Sequence, residues 1–198
     1  QGLGVVSRAV SPRSTLPVLG NVLLATDEGR LRLAATNLEL GISSWIGAQI
    51  QEEGSITVPA RLLTDLVAML PNDTVHLSVN TTTCTLTVRC ASSNTDIKGI
   101  DAQEFPPMPA TDMSEGVLVK LSDFKEMIQQ VTFAASSDEA RPMLQGAQTT
   151  LSGNEISMAA TDGFRISVRK VTLADPVRKT QTMIIPARAL NELARIAS

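Results

Sequence analysis

Ala34-Ala35-Thr36-Asn37 returns later in the chain as Ala159-Ala160-Thr161-Asp162. Two further blocks return in the same order. Leu16-Pro17-Val18-Leu19 is matched by Arg141-Pro142-Met143-Leu144, and Val58-Pro59-Ala60-Arg61-Leu62-Leu63 by Ile185-Pro186-Ala187-Arg188-Ala189-Leu190. The offsets are 125 (160 − 35), 125 (142 − 17) and 127 (186 − 59). Solenoid units repeat every 20 to 50 residues or so, which makes a repeat this long a duplicated domain.

The same offset pairs Gln1 with Glu126 and Ser198 with Pro71. The first copy is therefore expected to open without a counterpart of Gly116–Leu121, and the second to stop soon after its Pro-Ala-Arg helix. The expected division is residues 1–112 for a first domain lacking its first strand and helix start, and 113–198 for the opening part of a second. A third domain is expected to be absent.

Composition sets outer bounds. The 198 residues fit one or two domains, and 43% hydrophobic content supports packed cores. No apolar run reaches the roughly 18 residues of a membrane span. Cys84 and Cys90 lie on one extended stretch, too far apart for a disulfide, and two unpaired thiols suit a reducing cytoplasm. A net charge of −3 argues weakly against a nucleic-acid partner, although it leaves the distribution of charge open.

Most segments alternate apolar and polar residues, as half-buried strands do. Asn21–Thr26, Arg30–Thr36 and Glu39–Ile50 read as a meander turned at Asp27-Glu28-Gly29. Val75–Val79, Cys84–Cys90 and Thr95–Ile100 read as its continuation in the same sheet. Val117–Leu121, Leu144–Leu151, Glu155–Thr161 and Phe164–Val171 are the strands predicted for the second copy, with Asp162-Gly163 a two-residue hairpin turn whose central residues both need positive φ. Pro59 and Pro186 each open a helix at its first position. Leu62, Leu63, Leu66, Val67 and Leu70 form the predicted inward stripe of one, and Leu190, Leu193, Ala194 and Ile196 that of the other. A further helix starts from Ser122 as N-cap and buries Phe124, Met127, Ile128, Val131 and Ala135, with Leu3, Val6 and Val10 as its remnant in the first copy. The fold class is α+β: duplicated domains, each with two helices packed on antiparallel sheet. Phe105-Pro106-Pro107-Met108-Pro109 reads as a stiff extended linker.

No catalytic constellation emerges. His76 is the only histidine and sits in an alternating strand; no Cys or His pair has metal-ligand spacing, and no Gly-rich loop precedes a helix. Asp101 and Glu104 read as solvated acids. No cofactor and no metal are expected. Arg188, Asn191, Glu192 and Arg195 share one exposed helix stripe, matched by Arg61, Thr64, Asp65 and Ala68; Lys125, Gln129 and Thr132 do the same on the other helix, with Arg8 on its partner. One account is an ordinary solvated face. The other is a cationic strip assembled by duplication on an otherwise acidic protein, suited to phosphate contact without sequence reading. Tyr is absent, so stacking on single-stranded bases is not favoured.

Thr15-Leu16-Pro17-Val18-Leu19-Gly20-Asn21, Val58-Pro59-Ala60-Arg61, Glu104-Phe105-Pro106, Ala160-Thr161-Asp162-Gly163-Phe164-Arg165 and Ile185-Pro186-Ala187-Arg188 together closely resemble the bacterial DNA polymerase III β subunit family, the sliding clamps. The resemblance implies a ring of two head-to-tail subunits, each of three like domains, around double-stranded DNA in the cytoplasm. It implies a non-catalytic processivity factor that tethers the polymerase III α subunit, meets the clamp loader and repair polymerases through short hydrophobic motifs, and is opened by ATP bound to the loader. By resemblance, Arg8, Arg13, Arg61, Lys125, Arg188 and Arg195 would face DNA, as would the Asp138–Met143 loop, where Pro142 and Met143 replace aromatic residues of other members. Leu144, Thr161, Gly163, Phe164, Arg165 and Ile166 would form the second-domain wall of the partner cleft, and Thr95–Ile100 the edge strand joining subunits, with Thr95 and Ile97 in the contact. Two other classes remain open on the residues alone: a duplicated peptide-binding scaffold without DNA, and an enzyme whose catalytic residues lie elsewhere.

Overall fold

The computed structural model describes residues 1–11, 15–109 and 116–197. The chain divides into two compact units, Gln1–Pro109 and Ala110–Ser198. In the first, helix α1 (Gly2–Val6) and a 3₁₀ turn (Ser7–Ala9) lead to a second 3₁₀ turn (Pro17–Gly20) and strands β1 (Asn21–Asp27), β2 (Arg30–Thr36), β3 (Gly41–Gly47) and β4 (Ser55–Pro59). Helix α2 (Ala60–Met69), strands β5 (Val75–Asn80), β6 (Thr85–Cys90) and β7 (Ser93–Lys98) and a 3₁₀ turn (Ala102–Glu104) complete it. The second unit has helix α3 (Leu121–Val131), 3₁₀ turns at Thr132–Ala134 and Pro142–Gln145, strands β8 (Gly146–Ser152), β9 (Glu155–Thr161), β10 (Ile166–Thr172) and β11 (Gln181–Pro186), and helix α4 (Ala187–Ile196).

The duplication holds element by element. The four-stranded sheets are ordered β3-β2-β1-β4 and β10-β9-β8-β11, all antiparallel. In the first unit α1 packs on β2 and β3, and α2 on β1 and β4; in the second α3 packs on β9 and β10, and α4 on β8 and β11. Even the polar contact between the two helical segments recurs. The Ser7 hydroxyl lies 2.7 Å from the Leu3 carbonyl and 3.3 Å from the Thr64 hydroxyl. Its counterpart Thr132 lies 2.8 Å from the Ile128 carbonyl and 3.0 Å from Asn191 Oδ1. Such i−4 back-bonding satisfies a hydroxyl held against a neighbouring helix.

Burial follows the predicted faces where a sheet stands opposite. Met127, Ile128, Val131 and Leu190 bury with Ala147, Ile156, Met158 and Ala160. At about 1.5–3 kcal/mol per large side chain, these contacts are the main favourable term for the second unit.

Several expectations are corrected. The strands β5–β7 do not extend the first sheet; they form a second, three-stranded sheet, ordered β5-β6-β7 and joined to β4 through a single bridge between Thr57 and Ile100. β3 is shorter than Glu39–Ile50. Val117–Lys120 is not a strand, because no strand among the described residues pairs with it, and Leu121 already belongs to α3. Lys120 is the N-cap of α3, leaving the Ser122 hydroxyl to bond Asp123 instead. Pro59 and Pro186 are N-caps rather than first helical residues, each also ending a strand whose ladder needs no N–H there. Of the α2 stripe, Leu63 is buried and Leu66 half-buried, but Leu62 and Val67 are exposed, as is Leu193 of α4. Phe105 is a core residue rather than part of a free linker. Among the described residues no helix is long and apolar enough to cross a membrane.

The neighbours Leu62 and Leu63 separate pattern from packing. Leu63→Ala is expected to cost about 2–5 kcal/mol, and Leu62→Ala within about 0.5 kcal/mol of nothing, in urea unfolding followed by Trp45 fluorescence. Equal losses would contradict the packing of α2.

Candidate functional site

The helix-face cations are set out differently. Arg61 is exposed on the first turn of α2 and lies 3.8 Å from Asp65. Arg195 on α4 pairs with Glu192 at 2.8 Å, a helix-surface pair worth little in water. Arg188 also faces out, and Arg8 stands exposed on the Ser7–Ala9 turn. Lys125 departs from the expectation of an outward cation: its ammonium donates to the Ala197 carbonyl at 2.8 Å, satisfying the open C-terminal end of α4. Arg13 lies outside the described residues.

The second cluster is built on the β9–β10 connection. Thr161 pairs with Ile166 across it, so the loop is the four residues 162–165. The Asp-Gly pair is therefore not a two-residue hairpin. Only Gly163 has positive φ, at 94°, and the Asp162 carboxylate organises the rest. Asp162 Oδ1 accepts from the amides of Phe164 at 2.9 Å and Arg165 at 3.0 Å, while Oδ2 accepts from Arg165 Nε at 3.0 Å. Thr161 Oγ1 accepts from the Gly163 amide and donates to the Arg165 carbonyl. An Asx-type loop of this kind fixes the backbone from its own side chains.

That rigidity displays an aromatic ring. Phe164 is 95% exposed, and Ile166 is exposed at the start of β10 rather than two residues along a strand from it. Arg165 turns the other way: it donates to the Phe133 carbonyl at 2.9 Å and stacks 5.4 Å from the Phe133 ring centre. Sequence reasoning missed Phe133, although it stands at the repeat position of Arg8 and could have been found by aligning the copies.

The Asp138–Met143 loop joins this site. Asp138 accepts from the Ala140 amide at 3.0 Å and from Arg141 Nε at 2.8 Å, and Arg141 also donates to the Asp162 carbonyl at 3.2 Å. An open groove of about 270 Å³ lies between the loops, lined by Ser136, Asp138, Arg141, Asp162, Phe164 and Arg165. Leu144 is half-buried beside exposed Met143. Backbone amides and an arginine hold both carboxyls below their ordinary range: the Phe164 and Arg165 amides, then the Arg165 charge, for Asp162; the Ala140 amide, then Arg141, for Asp138. The groove thus offers one exposed ring, Phe164, beside the Asp138–Arg141 and Asp162–Arg165 ion pairs.

The remaining candidates belong to the first unit. β7 is an edge strand, with Thr95 half-exposed, but Ile97 is 1% exposed inside the first unit and is not available as a contact side chain. His76 lies exposed on β5 opposite Arg89. Asp101 caps the Ala102–Glu104 turn by accepting from the Gln103 amide. Among the described residues no three His, Cys, Asp or Glu side chains gather as a metal site.

Comparison with known proteins places this geometry in context. Residues 1–109 match the family described as DNA polymerase III beta subunit, N-terminal domain, and residues 118–198 the central domain of the same subunit. The beta sliding clamp of Synechococcus elongatus is 40% identical over 198 residues, covering 98% of this chain and 52% of its own length. That of Synechocystis is 37% identical over 215 residues, covering all of this chain and 55% of the relative. Among solved structures, the DNA polymerase sliding clamp from Bacillus subtilis superposes with a TM-score of 0.91 at 28% identity, over 98% of this chain and 53% of that one. The DNA polymerase III subunit beta from Pseudomonas aeruginosa gives 0.88 at 30%, over 100% and 54%. The chain spans about half the length of the curated relatives it matches.

The Asp162 loop makes a pH prediction. Its carboxyl titrates below the ordinary 3.8, so its stabilisation is complete above 3.8 and is lost as pH falls through the lower folded-state value. The Phe164 and Arg165 amide resonances should move together as pH falls, with a common midpoint below 3.8. A midpoint at or above 3.8 would remove the carboxylate from that role.

Proposed function

Because the chain belongs to the DNA polymerase III beta subunit family, we propose that it contributes most of the first domain and the opening part of the second domain of a sliding clamp. In this reading the complete protein is a ring of two head-to-tail subunits that encircles double-stranded DNA. It carries no catalytic centre and tethers the polymerase III α subunit, the clamp loader and repair polymerases in the cytoplasm. The observation that carries the reading is the duplication itself: two four-stranded sheets of one strand order, each with two helices packed on it.

In each unit the helices would form the inner wall. Arg8, Arg13, Arg61, Arg188 and Arg195 would meet phosphates, with Lys125, held at the end of α4, adding to the field. Weak contacts of this kind suffice, because a closed ring is retained by topology and stays free to slide. The Asp138–Met143 loop is assigned to the partner groove rather than to DNA, since its arginine is engaged with Asp138 and the Asp162 carbonyl. Leu144, Thr161, Gly163, Phe164, Arg165 and Ile166 would receive the hydrophobic motif of a partner, with Phe164 as the anchor wall. The β7 edge, through Thr95 and its open backbone groups, would join the neighbouring subunit by strand pairing, with Ile97 supporting the strand from the core.

Three outcomes are expected. The full-length protein, once loaded, stays on circular duplex DNA and leaves when the circle is cut; equal retention on both forms would mean ordinary binding. Each Arg→Ala change on the helix faces lowers the log–log salt slope of DNA association by about 1 for every phosphate that the arginine had neutralised. Phe164→Ala weakens a bound partner peptide by about 1 kcal/mol or more in a titration, while an unchanged affinity would take Phe164 out of the cleft.

A further inference from the structure

The loop that joins β9 to β10 has a twin in the first unit, between β2 and β3. There Asn37 Oδ1 accepts from the amides of Glu39 at 3.0 Å and Leu40 at 2.7 Å, and Thr36 Oγ1 accepts from the Leu38 amide at 3.0 Å. Asp162 Oδ1 makes the same two bonds to Phe164 and Arg165, and Thr161 Oγ1 the same bond to Gly163. Leu38 and Gly163 turn the backbone alike, with φ of 75° and 94°. Both loops close by these local bonds, so the backbone of the second needs nothing from outside it to form.

What the second unit adds lies in its side chains. Arg165 keeps Nε on Asp162, donates from Nη2 to the Phe133 carbonyl at 2.9 Å, and stands 5.4 Å from the Phe133 ring centre. At the 125-residue offset Phe133, Phe164 and Arg165 correspond to Arg8, Glu39 and Leu40. The first unit therefore has neither the exposed ring nor the ring-and-guanidinium pair beside it, and the second has both. The grip continues along α3: Ser167 donates to the Gln130 carbonyl, and Arg169 pairs with Glu126 at 3.5 Å. Alternate residues from Arg165 to Arg169 thus meet Phe133, Gln130 and Glu126, which share one helical face.

Phe133 is 57% exposed, so core packing does not account for it. It does not line the groove, whereas Arg165 does. A guanidinium is attracted to the face of an aromatic ring and lies flat on it, which selects among the rotamers of a long, exposed side chain. We propose that Phe133 is a positioning residue for the partner groove. Its ring and carbonyl hold Arg165 on the helix side of the loop, which leaves the Phe164 ring free to receive a partner. The role rests on the proposed function, which puts the hydrophobic motif of a partner in this groove.

The test titrates the full-length protein with the polymerase III α subunit. Phe133→Leu keeps an apolar side chain and removes the ring face. It should weaken α binding about two- to fivefold, and Phe133→Tyr should restore it. Adding Phe133→Leu to Arg165→Lys should cost no more than Arg165→Lys alone, because both changes break one contact. Phe164→Ala separates the failures. If Phe164→Ala weakens α and Phe133→Leu does not, the positioning role is overturned and the groove keeps its partner. If Phe164→Ala changes nothing, the groove loses its proposed partner and Phe133 its role with it. Additive losses, or a Tyr variant as weak as the Leu variant, also overturn the proposal. Should Phe133→Leu fail to fold, Phe133→Met fills the space without a ring and is judged by the same outcomes.

Discussion

A sheet has two faces, and in both units of this chain the helices seal only one. Ile128 and Val131 of α3 and Leu190 of α4 close over Ile156, Met158 and Ala160, and that closure is what makes the second unit a folded body. Two consequences follow from the geometry. The far side of each helix is released from packing and can carry Arg61, Arg188 or Arg195 at no cost to the core. The far side of each sheet is released too, and can carry apolar residues that a second chain segment covers. Both surfaces exist because the central closure needs neither.

The β9–β10 loop shows how an exposed aromatic is kept in place. Phe164 contributes almost nothing to the core, so its position has to be fixed by its neighbours. Asp162 does this with both carboxylate oxygens, Thr161 with its hydroxyl, and Arg165 by reaching back to Phe133. Arg141 then ties the preceding loop to the same turn. Hydrogen bonds to charged groups are stronger than neutral ones, and a dense local set of them can hold a ring in water where apolar packing cannot. This is also why the Asp-Gly pair misleads when read as a two-residue turn: the carboxylate supplies acceptors that widen the loop to four residues.

Several misreadings share one cause. Alternation at Val117–Leu121 reports a segment able to pair, and no described strand pairs with it. The stripe of α2 reports a face able to bury, yet Leu62 and Val67 stay exposed. Phe105 among prolines reads as a linker, because composition says how a segment holds itself and not what it rests on. Lys125 reads as a solvent-facing cation until the end of α4 is brought beside it. Ile97, placed by resemblance at a subunit contact, is claimed first by the core of its own unit. In every case the pattern states a capacity, and whether it is used depends on residues distant in the chain.

Local sequence by itself determined the duplication, strands β1–β3 and β5–β10, and the inward residues of α3, while β4 and β11 were not legible in it. Those follow from spacing, from helix and strand periodicity and from a constant offset, all of which survive without knowledge of any long-range contact. Only the tertiary structure decided that β5–β7 form their own sheet, that Phe105 packs with Ala34, and that Arg165 turns to Phe133 and leaves Phe164 outside. Those outcomes are set by which surfaces meet. Apolar burial is proportional to area removed from water and carries no direction of its own, so a sequence can offer the surface without naming the segment that covers it.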